Sequence, residues 1–365
     1  MTADLRWMQV ALTLGRRGMG RTWPNPAVGC VIVSPEGRVV GRGWTQLGGR
    51  PHAEVMALRQ AGDAARGATA YVTLEPCAHH GKTGPCAEAL SRAGIARVVS
   101  ALQDPDPRVS GGGHDILRKG GIAVTEGVGA DQARSDHEGF LIRATLGRPM
   151  LTLKLALTLD GRLATARGES QWITGPEARR AGHAMRARHD AVLIGAGTAR
   201  ADDPTLTVRD MGVAQQPVRI VAARGLDIPL PSRLSETASD AAPVWICHGE
   251  DAPAARIAAA EAHGLTCLET LEGPDGLDPE GLLQVLGAQG VTRVYCEGGG
   301  ALGAALMRAG LVDRLAVFHA GCAIGADGRA GLGPMGLDRL AEAPRFDRVR
   351  SAVLGADVLT EWRRR

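Results

Sequence analysis

The sequence predicts an α/β protein made of two successive domains, and three observations carry that reading. Segments with strand and helix character alternate along the chain, which implies sheets packed against helices. The chain has 365 residues, more than one ordinary domain uses and enough for about two to three. A Gly147-Arg148-Pro149 break then separates an alternation ending in a helix from one that starts afresh on a long strand. The expected domains are residues 1–147 and 148–365.

In the first half, the pattern predicts a helix near residues 3–15, a strand pair at Val28–Val33 and Val39–Gly43, and a helix from His52 to Ala61. A strand at Ala70–Leu74, a helix from Pro85, a strand at Val98–Leu102 and a helix near 112–119 follow. A short strand at Ile122–Thr125 and a helix near 130–146 complete this half. The second half opens on Leu151 to Asp160, where leucine takes every second position. That period belongs to a strand. It places five leucines on one face and Thr152, Lys154, Ala156, Thr158 and Asp160 on the other. A strand of this kind at a core edge would aim Lys154 into a cleft. Further strands are expected at Ala191–Gly195, Val218–Ala222, Val244–Cys247, Val291–Cys296 and Leu315–His319. The two halves share no visible repeat.

Composition bounds the function. Hydrophobic residues are 44% and charged residues 22%, a globular balance, but aromatics are only 3%, so Ala, Leu and Val must fill the interior. The net charge of +3 is spread along the chain, which argues against a nucleic-acid partner; Arg363-Arg364-Arg365 reads as a solvated tail. The apolar run Trp7 to Leu14 lacks a basic leader and a small-residue cleavage site, so it reads as an amphipathic helix and not a signal segment. No apolar run approaches the roughly 18 residues of a membrane span, so no membrane partner is expected.

Seven cysteines, an odd number without a regular framework, point to a reducing cytoplasm. Cys30, Cys247, Cys267, Cys296 and Cys322 lie in apolar, strand-like surroundings where buried, inert thiols are expected. Cys77 and Cys86 stand apart. With His52 they offer one imidazole and two thiols, a donor set for a zinc ion that keeps one position open. His52 and Cys86 fall at predicted helix starts, where the helix dipole favours the thiolate that zinc requires. Glu54, two residues after the imidazole, is placed to move protons as a general acid and base in hydrolytic deamination. A structural zinc closed by His79 or His80 is the competing reading.

The longer text is more specific: Pro24-Asn25-Pro26-Ala27-Val28-Gly29-Cys30, Pro51-His52-Ala53-Glu54, and Leu74-Glu75-Pro76-Cys77-Ala78-His79-His80-Gly81-Lys82-Thr83-Gly84-Pro85-Cys86. It closely resembles the deaminase domain of the bifunctional deaminase/reductases of bacterial riboflavin biosynthesis, and the likeness continues through Gln103-Asp104-Pro105-Asp106-Pro107. The resemblance implies a cytidine-deaminase-like α/β/α domain holding one zinc. It also implies that Asn25, His79 and Lys82 contact a phosphorylated ribosyl-pyrimidine. Relatives commonly carry a histidine where this chain has Thr45, which can donate a hydrogen bond but carries no charge.

In the second half, Glu297-Gly298-Gly299-Gly300-Ala301-Leu302-Gly303 follows a strand and opens a helix whose backbone amides could cradle a phosphate. Taken alone, a tight turn is nearly as good a reading. Together with Leu159-Asp160-Gly161-Arg162, Gly168-Glu169-Ser170-Gln171-Trp172-Ile173-Thr174 and the run from Ala201 to Arg209, this half is similar to the reductase domain of the same family, which has a dihydrofolate-reductase-like fold.

That resemblance implies NADPH-dependent reduction of the ribosyl group to ribityl. It implies dinucleotide contacts at Ala156, Trp172, Thr198, Asp202, Gly299, Gly300, Ala301, Leu302 and Gly303, and substrate contacts at Ser170, Arg186, Leu206, Arg209 and Glu297. Lys154 and Asp202 would lie nearest the chemistry, and a homo-oligomer is expected. Relatives often carry an Asp-Ser pair after the strand that ends here in Ala222-Ala223-Arg224. The competing functions are a nucleoside or tRNA-base deaminase with an accessory domain, against which the near-neutral, aromatic-poor chain argues, and a non-catalytic zinc protein.

Overall fold

The computed structural model describes residues 2–80, 84–106, 109–274 and 276–365, and the chain divides into two units, Met1–Gly147 and Arg148–Arg365. The first unit is built on five strands in the order Val39–Trp44, Gly29–Val33, Thr69–Val72, Arg97–Ser100 and Ala123–Thr125. Gly29–Val33 runs antiparallel to both its neighbours, and the last three strands are parallel. Helices Ala3–Gly15, Ala53–Ala61, Cys86–Arg92, Gly112–Lys119 and Ala130–Leu146 contribute Met8, Ala57, Leu90, Leu117 and Ala133 to one core with the sheet.

Small residues bring the helix that follows His52 directly onto this sheet. Ala53, Ala57 and Ala61 recur every fourth residue on one helical face and are buried. A Cβ on Gly43 would sit 2.1 Å from the Ala53 carbonyl oxygen, and one on Gly41 2.3 Å from that of Ala57. Only glycine permits such an approach, so Gly41 and Gly43 set the height at which the helix start rests above the strand.

The second unit is built on a nine-stranded sheet in the order Thr266–Glu269, Val244–His248, Val218–Ala222, Ala191–Gly195, Arg293–Cys296, Met150–Thr158, Arg314–Ala320, Asp357–Arg364 and Phe346–Leu354. The first seven are parallel and the last two antiparallel. The carboxyl ends of Ala191–Gly195 and Arg293–Cys296 carry the chain to Gly195 and Glu297, and Glu297 lies against Lys154 in the middle of Met150–Thr158, at the end of the sheet where open α/β folds place their ligands.

Three expectations are corrected. Met150–Thr158 is not at a core edge: Arg293–Cys296 and Arg314–Ala320 flank it, and its first four residues are buried. Its alternation therefore does not separate a core face from a solvent face. Arg363-Arg364-Arg365 are exposed as expected, but Arg363 and Arg364 are not a tail: they close the strand Asp357–Arg364, where Arg363 pairs with Arg314 and Asp347 in the ladder. Cys322 is exposed and Cys267 half-buried, because Cys322 lies beyond the end of Arg314–Ala320; Cys30, Cys247 and Cys296 are buried as expected.

Candidate active sites

His52 caps the helix Ala53–Ala61, and Cys86 is the first residue of Cys86–Arg92. The chain leaving Thr69–Val72 brings Cys77 to both. The ligand atoms of His52, Cys77 and Cys86 all lie within 4.8 Å of one another. His52 Nδ1 stands 3.7 Å from Cys77 Sγ and 3.4 Å from Cys86 Sγ. Zinc bonds of tetrahedral geometry to sulfur and nitrogen require a separation of about 3.6 Å between those atoms, so the donor set fits zinc through Nδ1. Among the described residues the cluster is these three alone; His79 and His80 do not close it. Cys77 Sγ is held down to about 4 by hydrogen bonding from the Cys86 thiol, helped by the His52 ring and the Cys86 N–H, against the effect of burial.

Glu54 is buried and lines the same pocket, and burial followed by the charge of Cys77 pushes its carboxyl up to about 7. Asn25 and His79 line this pocket as well. Asn25 donates through Nδ2 to the Gly49 carbonyl at 3.0 Å. His79 has a buried Nδ1 without a hydrogen-bond partner. Lys82 lies outside the described residues. Thr45 is buried, and its Oγ1 accepts the Val28 N–H at 3.0 Å.

Sequence reasoning misses four residues here: Arg50, Glu75, Asp104 and Phe140, all lining the pocket. Glu75 is buried, and its two oxygens accept the N–H groups of Asp104, Gly111, Gly113 and His114 at 2.8 to 3.3 Å. It thereby fastens the segment around Asp104 beside Pro76-Cys77. The position of Glu75 next to the metal motif was the available signal; its partners are about 30 to 40 residues away in sequence.

The second unit has a larger cleft, about 360 Å³ against about 100 Å³ for the first pocket. Lys154, Ala156, Ser170, Trp172, Arg186, Thr198, Asp202, Leu206, Arg209, Glu297 and Gly299 all line it. Glu297 is its charge centre. Arg186 binds the carboxylate through Nε and, at 3.1 Å, through Nη2, while Lys154 Nζ lies 3.6 Å from Oε2. Burial opposes ionisation of Glu297, but Arg186 and Lys154 outweigh it and hold the carboxyl at about 2. Arg186 also donates to the Thr207 carbonyl at 2.9 Å, gripping the loop in which buried Leu206 adopts φ +54°.

Gly300, Ala301, Leu302 and Gly303 begin the helix Gly300–Arg308 and do not line the cleft. Gly303 instead packs against Leu153 and Leu332, and Leu302 against Gly298. A Cβ on Gly299 would face Thr198 Oγ1 at 3.6 Å, so the glycine turn keeps the cleft open between the helix start and Thr198. The size of the cleft and this bare turn fit a dinucleotide lying beside a second ligand. Arg179 stacks on the exposed Trp172 ring at 4.7 Å. Arg224, after Val218–Ala222, pairs with Glu272.

Residues 1–102 match the cytidine and deoxycytidylate deaminase zinc-binding region, and residues 149–360 match the RibD C-terminal domain. The riboflavin biosynthesis protein RibD of Escherichia coli K12 is 42% identical over 360 residues, covering 97% of this chain and 98% of that protein. RibD of Aquifex aeolicus is 39% identical over 99% of this chain and 98% of its own length. The solved structure of Acinetobacter baumannii RibD, form 1, aligns with a TM-score of 0.89 at 39% identity, over 100% of this chain and 99% of that one. A Thermotoga maritima diaminohydroxyphosphoribosylaminopyrimidine deaminase/5-amino-6-(5-phosphoribosylamino)uracil reductase aligns at 0.86 and 34% identity, over 100% and 99%. Since the kinship spans both units and each unit carries its own site, the chain belongs to the RibD family of bifunctional deaminase/reductases of riboflavin biosynthesis.

Proposed function

We propose that the first unit deaminates 2,5-diamino-6-ribosylamino-4(3H)-pyrimidinone 5′-phosphate and that the second reduces the ribosyl group of the resulting 5-amino-6-(5-phosphoribosylamino)uracil with NADPH. The observation that carries the reading is the open three-donor cluster of His52, Cys77 and Cys86 with buried Glu54 in the same pocket. His52 Nδ1, Cys77 Sγ and Cys86 Sγ would hold one zinc ion. When bound, the zinc supplies Lewis acidity that brings a water's pKa toward about 7. Glu54 would carry the two protons of the attacking water in turn, the first to the ring nitrogen and the second to the amino group that leaves as ammonia. Asn25, His79 and Lys82 bind and orient the phosphorylated ribosyl-pyrimidine.

In the second unit Ala156, Trp172, Thr198, Asp202 and Gly299 line the cleft and bind the dinucleotide. NADPH, when bound, would supply a hydride to C1′ of the ring-opened imine, whose C=N bond becomes a single bond as its nitrogen takes one proton from water. Ser170, Arg186, Leu206, Arg209 and Glu297 hold the substrate, while Lys154 and Asp202 stand nearest the reacting carbon. Lys154 lies 3.6 Å from Glu297 and orients the sugar oxygens.

No helix among the described residues is long and apolar enough to cross a membrane, and all seven cysteines are free thiols; the free thiols support a reducing, cytoplasmic setting. Assembly as a homo-oligomer belongs to the same proposal and is read by light scattering. The deciding experiment uses Glu54→Gln. The variant should keep one zinc per chain and lose ammonia release by about 10²–10⁴-fold, with NADPH oxidation on pre-deaminated substrate retained. Ammonia release at the native rate would remove Glu54 from the chemistry.

A further inference from the structure

Arg219 stands on the strand Val218–Ala222 and is fully buried, and its partners among the described residues are all neutral oxygens. Nη1 donates to the Thr205 carbonyl at 3.1 Å and to Thr237 Oγ1 at 2.6 Å. Nη2 donates to the Thr237 carbonyl at 2.9 Å and to that of Ala242. Burial lowers its pKa to about 10, which leaves it a cation at neutral pH. A buried cation without a counter-ion is costly, and here the planar fork joins three separate segments at once.

Two of those segments form walls of the second cleft. Pro204, Thr205, Leu206 and Arg209 line it, in a loop without regular secondary structure. Leu206 takes φ +54°, a left-handed conformation unfavourable for a residue with a Cβ, so the surroundings must impose it. Arg219 holds the carbonyl of Thr205 and Arg186 that of Thr207, at 3.1 and 2.9 Å. Gln216 holds both the N–H and the carbonyl of Val208, at 2.6 and 3.3 Å, and His183 Nδ1 accepts the Arg209 N–H at 3.4 Å. Of these, Arg219 grips the residue immediately before Leu206. Its partner Thr237 donates through Oγ1 to the Arg233 carbonyl. Arg233 lines the cleft, and its N–H donates to Asp203 Oδ1 at 2.9 Å. One guanidinium thus ties the loop 204–209 and the helix Arg233–Glu236 to the same strand.

We propose that Arg219 is a positioning residue of the reductase reaction. It does not line the cleft; it fixes Thr205 so that Leu206 and Arg209 present a preformed surface to the ribosyl-pyrimidine. The assignment rests on the reductase reading above and names the group that sets the substrate loop.

The test compares the native full chain with Arg219→Lys, Thr237→Val and Ile246→Val, the last a core substitution on Val244–His248 that removes none of these bonds. Each is assayed for NADPH oxidation on pre-deaminated substrate, for NADPH affinity by nicotinamide fluorescence, for Tm, and for amide hydrogen exchange at residues 205–209. Arg219→Lys keeps the charge but not the fork. It should lower kcat/KM for the substrate about 10- to 100-fold, mainly through KM, with the NADPH Kd within about twofold. Exchange at 205–209 should quicken while Ala191–Gly195 and Arg293–Cys296 keep their native protection. Thr237→Val keeps the cation and removes the hydroxyl that holds Nη1 beside Thr205. It should raise KM about 3- to 10-fold, the worth of one hydrogen bond, and it carries the test if Arg219→Lys does not fold. Ile246→Val should lower Tm and leave KM alone. Equal losses for substrate and NADPH, or an equal rise in KM in Ile246→Val, would mean that Arg219 only supports the sheet and would overturn the proposal. An unchanged KM would overturn it too, whether or not exchange quickens. If the native chain oxidises no NADPH on that substrate, the reductase reading itself fails and takes this assignment with it, and exchange then still shows whether Arg219 holds the loop.

Discussion

Lys154 Nζ lies 3.6 Å from Glu297 Oε2, on a carboxylate that Arg186 already grips through Nε and Nη2. One anion thus orients two cations in the second cleft, and all three side chains are largely buried. Replacing it by Glu297→Gln leaves Arg186 and Lys154 facing each other without a counter-charge. Reductase kcat/KM should fall by about 10²-fold or more, since truncating one partner of a buried charge pair costs several kcal/mol. Ammonia release should be unchanged, and separate assays of the two reactions check both halves of this expectation. A uniform loss of both would point to unfolding instead.

Removal of one zinc donor should divide the two activities. Cys77→Ser replaces the thiolate that hydrogen bonding from Cys86 and His52 stabilises by a hydroxyl that does not ionise near neutrality. Zinc content, read by metal analysis, should drop well below one per chain, and ammonia release should disappear with it. NADPH oxidation on pre-deaminated substrate should stay within about twofold of native, because none of the residues lining the second cleft belongs to the metal cluster. Full zinc content in the variant would show that His52 and Cys86 suffice.

The metal site is legible in the sequence because its chemistry is local and its residue types are scarce. His52 and Glu54 share one helix start, and Cys77 and Cys86 lie nine residues apart. Glu75 sits beside that motif but acquires meaning only through a remote segment, residues 104 to 114. In the second unit, alternation finds the strand of Lys154 but not its burial on both faces, which depends on Arg293–Cys296 and Arg314–Ala320 flanking it. The strands Phe346–Leu354 and Asp357–Arg364 escape detection because charged residues such as Asp347, Arg348 and Arg350 break the hydrophobic period on a mostly exposed edge. The glycine turn is legible as a helix start, but the packing duty of Gly303 against Leu153 and Leu332 is not.

Acid should destabilise the second unit partly through one imidazole. His189 is buried, donates through Nδ1 to the Met185 carbonyl at 2.7 Å and accepts at Nε2 from Thr152 Oγ1 at 3.0 Å. Burial first, then Arg293, lowers its pKa from 6.5 to about 3. The unfolded chain therefore binds a proton between those values that the folded chain refuses. The contribution is intact above about pH 6.5 and is lost as pH falls toward 3, with a slope of at most about 1.4 kcal/mol per pH unit. Denaturant midpoints at pH 7.5, 6 and 5 should fall more steeply for the native chain than for His189→Gln. Parallel slopes would show that other groups carry the acid sensitivity.

Gly43→Ala should connect backbone packing to zinc affinity. The added Cβ would sit 2.1 Å from the Ala53 carbonyl oxygen and 2.7 Å from the Ala57 N, with no flexible side chain to absorb the clash. The helix Ala53–Ala61 must rise from the strand, carrying His52 and Glu54 away from Cys77 and Cys86. Overpacking of this kind costs about 1–3 kcal/mol in stability, and a displacement of about 1 Å at a catalytic group costs about 10²-fold in rate. The variant should therefore show weaker zinc retention against a chelator and lower ammonia release, while the reductase reaction continues. Gly37→Ala is the control: Gly37 has φ +80° but nothing within 4 Å of its Cβ position, so it should lose some stability through backbone strain alone and keep its zinc. Equal zinc loss in both variants would mean that general destabilisation, and not the height of the helix above the strand, governs the metal site.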